Sequence, residues 1–167
     1  ELKKYDVNKL LTQTLLLNSN LMKINHIKVI EDYDINMPQV MGSEDQIKQV
    51  CMNIISNAAE GMMSTDGGEL HIKTLHSLKD NTIDIQFTDT GPGIPKDTIS
   101  KIFEPFFTTK RKGKGVGLGL SVVYGIVQEH GGDIRVESTP GKGTVFTVTL
   151  PIELLVGEGK IEFPYRY

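Results

Sequence analysis

Residues 69–78 and 82–89 both alternate apolar with polar side chains, and only Lys79-Asp80-Asn81 separates them. So short a polar connection makes them a hairpin, and the alternation gives the resulting sheet one apolar face. A second pair of strands is expected at 133–139 and 143–150, joined by Thr139-Pro-Gly-Lys-Gly143. Leucines at helical spacing (Leu10, Leu11, Leu15, Leu17, Leu21) predict one helix over residues 6–24, with Asp6 as N-cap. His26–Tyr33 alternates as a strand, and Met37–Gly42 reads as a short edge strand and turn. Ser43 and Gln46 have capping-box spacing at the start of a helix running to about Met63, closed by Thr65-Asp-Gly-Gly68. A further helix is expected over 118–130, ended by Gly131-Gly132. Between the two hairpins lies a glycine-, lysine- and threonine-rich connection, 90–117, with a short helix near Pro95 to Ile102. Connections this long inside a compact domain are usually functional. The order α-β-β-α-β-β-loop-α-β-β predicts an α+β two-layer sandwich, its mixed, mostly antiparallel sheet covered by helices on one face.

A chain of 167 residues supports one well-buried domain. The net charge of −3 gives no global reason to bind nucleic acid or an anionic membrane, and no apolar run approaches the ~20 residues of a membrane helix. The start at Glu1, without methionine or signal peptide, suggests a piece of a longer protein. The lone Cys51 falls among apolar neighbours on a helix and reads as a small core residue.

Three segments carry chemistry. Asp89-Thr-Gly-Pro-Gly-Ile-Pro95 places an acceptor-only carboxylate at the mouth of a strand, able to take a hydrogen bond from an exocyclic amine such as that of adenine. Gly91 and Gly93 let backbone approach a flat ring, although a plain turn accounts for the same residues. Asn53 and Asn57, four apart, share one face of their helix, opposite a core stripe of Ile47, Cys51, Ile54, Ala58 and Met62. Two amides side by side either solvate that face or offer carbonyl oxygens to a hard cation and N–H groups to phosphate. In 104–121, Gly115, Gly117 and Gly119 lead into a helix start, with Lys110, Arg111, Lys112 and Lys114 beside them. Free amides at a helix N-terminus and adjacent cations suit a polyphosphate. Phe103, Phe106 and Phe107 form an apolar latch for that loop. Thr144, opening the last strand, reads as a strand threonine or as a partner for a base or bridging water. No Gly-Lys-Ser/Thr closes a P-loop, no strand runs directly into the glycines as a dinucleotide site needs, and there is no Gly-x-Ser-x-Gly elbow. His26, His71, His76 and His130 have neither metal spacing nor the acidic helical context of a phosphoacceptor.

Together these segments closely resemble the catalytic, ATP-binding domain of bacterial sensor histidine kinases in the GHKL superfamily. Asn53-Ile-Ile-Ser-Asn57-Ala is similar to the N box and Asp89-Thr-Gly-Pro-Gly93 to the first glycine box. Ile102-Phe-Glu-Pro-Phe-Phe107 is similar to the F box, Gly115-Val-Gly-Leu-Gly-Leu120 to the second glycine box, and Gly143-Thr144 to the late threonine element. The Phe-Phe-Thr-Thr-Lys form most resembles the nitrogen-regulation type. The resemblance covers residues 5–150 and implies a catalytic domain over 1–155 followed by a tail, 156–167.

That resemblance implies ATP and Mg2+ as cofactors, bound between the helical layer and a lid, on a sheet backed by three helices. It implies that Asp89 binds the adenine amine, with Gly93 and Thr144 supporting the base, and that Gly91, Ile94 and Phe103 also belong to the nucleotide site. Asn57 would ligate magnesium with Asn53 assisting beside it. Lys110 and the amides around Gly117, Leu118 and Gly119 would hold the phosphates, with Thr109, Gly115 and Leu120 also in the nucleotide site and Asn53 and Lys110 acting in catalysis. Its implied partners are a dimerisation and phosphoacceptor helical domain, missing from this sequence, and a cognate response regulator, with no nucleic acid. The domain would be a cytoplasmic monomer and its parent a homodimer, either membrane-anchored or free. Glu60 stands where many members carry a phosphate-reaching base. Hydrolytic members use a glutamate at the position of Asn53, so very low ATPase activity is expected. A non-catalytic nucleotide-sensing or regulator-docking module is the alternative.

Overall fold

The computed structural model describes residues 1–105, 107 and 119–153. Its elements in chain order are β1 (Lys3–Tyr5), α1 (Val7–Leu17), α2 (Ser19–Ile24), β2 (Ile27–Asp32), β3 (Val40–Gly42) and α3 (Glu44–Met63). They continue with β4 (Gly68–Ser77), β5 (Thr82–Asp89), α4 (Lys96–Ile99), α5 (Gly119–Glu129), β6 (Asp133–Thr139) and β7 (Gly143–Pro151). The main sheet has the order β2-β4-β5-β7-β6. Only the β2–β4 pairing is parallel, and the two hairpins are zipped together along β5–β7. This is the mixed, mostly antiparallel two-layer sandwich that the element order implies.

Period-2 alternation decides which sheet face is buried. Leu70, Ile72, Ile83, Ile85, Phe87, Ile134, Phe146, Val148 and Leu150 point into the core. Against them packs the α3 stripe of Ile47, Cys51, Ile54, Ala58 and Met62, joined by Val50, Ile55 and Ala59. Each fully buried Val, Leu, Ile, Phe or Met side chain here stabilises by roughly 1.5–3 kcal/mol, so this seam is a large favourable term. Burial pushes the Cys51 thiol up to about 12, in keeping with a packing role.

Several boundaries differ from the sequence expectation, each for a local reason. The single helix over 6–24 is broken at Asn18 (φ −101°, ψ 9°), whose side-chain amide donates to the Thr14 carbonyl at 2.8 Å and reaches Met52 Sδ at 3.2 Å. His26 is left-handed (φ 58°), so the strand opens at Ile27. Only residues 40–42 of the expected edge strand pair, and they do so with β1 in a separate two-stranded sheet. Asp6 caps α1 as expected, its carboxylate accepting from the Lys9 amide at 3.1 Å.

The capping box of α3 is half built. Ser43 Oγ accepts from the Gln46 amide at 3.3 Å. The Ser43 amide, which Gln46 was expected to satisfy, donates instead to His130 Nε2 at 3.1 Å. His130 Nδ1 donates to the Ile126 carbonyl at 2.8 Å, which fixes the tautomer and leaves Nε2 as the acceptor. Burial lowers the His130 pKa, so the ring is held neutral, tying the end of α5 to the start of α3. No helix among the described residues is long and apolar enough to cross a membrane.

Candidate functional site

The apolar inner face of the sheet ends in one polar row. Asp89 is in phase with Ile83, Ile85 and Phe87, Thr144 with Phe146 and Val148, and Ser138 with Ile134 and Val136. The register aligns Asp89 opposite Thr144 and Thr144 opposite Ser138, across β5, β7 and β6. The row below it is Phe87, Phe146 and Val136, so a polar ledge sits on an aromatic and aliphatic floor. Phe103 extends that floor, its ring centroid 5.6 Å from Tyr124 and 6.4 Å, edge-on, from Phe146.

Local backbone holds the ledge in place. The Gly91 amide donates to Asp89 Oδ1 at 2.9 Å. Burial raises the Asp89 pKa, while the backbone N–H groups of Gly91 and Thr144 oppose the shift. Gly93 (φ 76°) brings the loop so close to β6 that a Cβ there would overlap the Thr139 carbonyl. Gly143 (φ 126°) does the same against the Asp89 carbonyl. These two positions need glycine, because an L side chain is strained at such φ and has no room. The Ile94 amide donates to Ser138 Oγ at 2.7 Å, and the Gly141 amide donates to the Pro92 carbonyl at 2.7 Å. The loop after Asp89 is thereby pinned over the end of the β6–β7 hairpin.

α3 forms the other wall. A methyl group on Gly91 would lie 3.4 Å from Met62 Cγ and 3.7 Å from the Gly61 carbonyl carbon, so the ledge abuts the last turns of this helix. Asn57 lies one turn back and half-buried, and Asn53 a turn further. Asn53 is engaged at both ends: its Oδ1 accepts from Gln49 Nε2 at 2.6 Å, and its Nδ2 donates to the Gly119 carbonyl at 3.1 Å. At 1.5 Å rise per residue, Asn53 to Gly61 spans about 12 Å. The cleft edge therefore runs from an acceptor-only carboxylate, past two amides, to the N-terminus of α5.

Among the sequence-predicted residues, the structure brings Asp89, Gly91, Gly93, Ile94 and Thr144 together around the ledge. It joins Asn53 and Gly119 at the opposite end and packs Ile94, Phe103 and Leu120 against the core. Phe106, Thr109, Lys110, Arg111, Lys112, Lys114, Gly115, Gly117 and Leu118 lie outside the described residues. Two residues that bear on the site were missed, Ser138 and Gln49. Ser138 carried a usable signal, a polar side chain in phase with Ile134 and Val136. Gln49 carried one too, at i−4 from Asn53 on the amide face.

Residues 42–154 match the family described as histidine kinase-, DNA gyrase B- and HSP90-like ATPase. The chain belongs to this family. It is 38% identical over 146 residues to sporulation kinase E of Bacillus subtilis, covering 87% of this chain and 19% of that protein. It is 36% identical over 138 residues to the sensory histidine kinase/phosphatase NtrB of Rhodobacter capsulatus, covering 76% of this chain and 38% of the relative. The chain thus spans well under half the length of these curated relatives. Their names differ, and the nitrogen-regulation subtype is not singled out. In structure, the chain superimposes on the catalytic domain of the histidine kinase ThkA with a TM-score of 0.79 at 31% identity, covering 91% of this chain and 98% of that one. ThkA has also been solved in complex with its response regulator TrrA (TM-score 0.75, 28% identity, 91% and 42% covered). Within the family, the chain is a histidine-kinase-type catalytic ATP-binding domain.

Proposed function

We propose that this domain, residues 1–155 with 156–167 as its tail, binds Mg-ATP and donates the γ-phosphoryl group to a histidine on a separate dimerisation and phosphoacceptor helical domain. The observation that carries the proposal is the half-buried, amide-supported Asp89 at one end of a cleft edge whose other end is a helix N-terminus next to Asn53. The carboxylate accepts from the exocyclic amine of adenine, with Gly93 and Thr144 beside the base. The start of α5, together with Lys110, Gly117 and Leu118, receives the phosphates.

Among the described residues no group of three His, Cys, Asp or Glu side chains could hold a metal ion. Two neutral amide oxygens still suit Mg2+, which takes few protein ligands and completes its shell with water and phosphate oxygens. Asn57 would be its ligand, and the ion, when bound, neutralises charge on the phosphate oxygens. The chain's own contribution is positioning, which dominates phosphoryl transfer. A neutral imidazole nitrogen of the partner domain forms the bond to the γ-phosphorus as the bond to the β–γ bridging oxygen breaks, releasing ADP. Asn53 presents an amide where a water-activating base would stand, so hydrolysis is slow. A homodimeric parent would place two such domains about shared helices in the cytoplasm, with a response regulator taking the phosphoryl group onward.

The test is to supply the helical domain in trans with Mg-ATP and assay acid-labile phosphohistidine. Its appearance, with negligible phosphate release by this domain alone, is the expected result. Rapid ATP hydrolysis without transfer would instead put the chain with the hydrolytic members of the family.

A further inference from the structure

Ser138 has a hydroxyl with every hydrogen-bonding position used. It accepts from the Ile94 amide at 2.7 Å and donates to the Gly143 carbonyl at 3.0 Å. A serine hydroxyl has one proton and two lone pairs. With its proton on Gly143, the 2.9 Å contact between Ser138 Oγ and Thr144 Oγ1 is made by the Thr144 proton. Thr144 is buried, and its hydroxyl is thereby turned away from the cleft, leaving lone pairs to face a ligand. Its row neighbour Asp89 is acceptor-only when ionised.

From this we infer that Ser138 is a specificity-determining positioning residue: by accepting the Thr144 hydroxyl hydrogen bond it leaves the side chains of the Asp89–Thr144 row as acceptors only, which favours a 6-amino purine over a 6-oxo purine. The inference rests on Asp89 meeting the base at this ledge. A 6-amine brings two donors to the row, whereas a 6-oxo group sets acceptor against acceptor and leaves N1–H as the one donor on that edge of the base. Freed of Ser138, the Thr144 hydroxyl can rotate and donate to an oxo group. The specificity is then carried by a residue that never touches the nucleotide.

The experiment measures dissociation constants of ATP and inosine triphosphate, its 6-oxo counterpart, by calorimetry with Mg2+. It uses the whole chain and the variants Asp89→Asn, Ser138→Ala, Thr144→Val and Ser138→Ala/Thr144→Val. In Ser138→Ala the ATP preference narrows by about tenfold, the factor one hydrogen bond of ordinary strength confers. The same substitution leaves the ratio unmoved when Thr144 is already valine, because the two residues act through one proton. Equal weakening of both nucleotides in Ser138→Ala would mean that Ser138 only holds the loop, and would overturn the inference. If Ser138→Ala unfolds, Ser138→Cys keeps the bulk with a weak acceptor and is expected to narrow the ratio partway; an unchanged ratio there is equally fatal. ATP binding indifferent to Asp89→Asn would instead overturn the placement of the base, a distinguishable failure.

Discussion

The two ends of the cleft are built by opposite means. At the Asp89 end, the strand register and two glycines forced into contact with carbonyls fix the groups in place before any ligand arrives. At the Asn53 end, the groups are side chains that satisfy one another: Gln49 on Asn53, and Asn53 on the Gly119 carbonyl. If the nucleotide binds as proposed, a base docks on the first without rearrangement, whereas phosphate and metal exchange bonds at the second. Preorganisation and adaptability are thus divided along one helix, and substitutions at the two ends should fail in different ways.

The largest effect is expected at the rigid end. Gly143→Ala sets a Cβ against the Asp89 carbonyl at φ 126°, and should cost about 3 kcal/mol or more of folding stability, read from urea denaturation. A shift under about 0.5 kcal/mol, the range of a neutral surface change, would show that the hairpin yields and that the end is not rigid.

Asp89→Asn separates binding from folding. Replacing the charged acceptor should weaken ATP by about a hundredfold, since a hydrogen bond to a charged group contributes roughly 1.5–3 kcal/mol. Burial raises the Asp89 pKa above its ordinary 3.8, so in that window the folded state holds more proton than the unfolded state. Its contribution to stability therefore falls as pH rises above 3.8, and at pH 7 the ionised carboxylate is a cost that asparagine removes. A variant at least as stable as the parent at neutral pH, yet with this weakened hold on ATP, is the expected outcome. Calorimetry and thermal melts on one sample decide it, and a large loss of stability would assign Asp89 a structural role.

What could be read in the sequence follows the same division. Asp89 at a strand end and Asn53 with Asn57 on a helix face are local patterns, set by periods of two and 3.6 residues. The sandwich was legible for the same reason. Ser138 and Thr144 each carried a local signal, but their alignment with Asp89 comes only through the β5-β7-β6 register, which joins segments far apart in the chain. The bond from Ser43 to His130 spans 87 positions, and nothing near either residue announces it. The break at Asn18 escaped because leucine spacing continues through it, while the deciding contact, Met52, lies on another helix. β1 is three residues long, too short to show any alternation.

His130 tests whether the adaptable end depends on how α5 is anchored. His130→Ala leaves the Ser43 amide buried without this acceptor and should cost about 2 kcal/mol. In the parent, burial holds the His130 pKa below 6.5, so its contribution is fully present above that pH and is lost as pH falls from 6.5 through the lowered value. Urea midpoints at pH 7.5 and pH 5.5, compared between the parent and His130→Gln, should show the acid loss shrinking in the variant. If anchoring governs the α5 start, His130→Gln should also weaken ATP more than adenosine, which makes no phosphate contacts. Equal weakening of both would show that the two ends are mechanically coupled rather than independent.

The smallest effect belongs to Asn57, and it discriminates most finely between the ends. Asn57→Ala removes one amide oxygen from a face where water and phosphate can take over, so it should lower ATP affinity only about tenfold, and only with Mg2+ present. Titrations with and without Mg2+ therefore converge in this variant, while Asp89→Asn lowers both curves together. If Asn57→Ala weakened metal-free ATP as much as Mg-ATP, the amide would be contacting the nucleotide itself. The acceptor row would then extend from the sheet onto α3, and the adaptable end would shrink to Asn53 and the helix start beyond it.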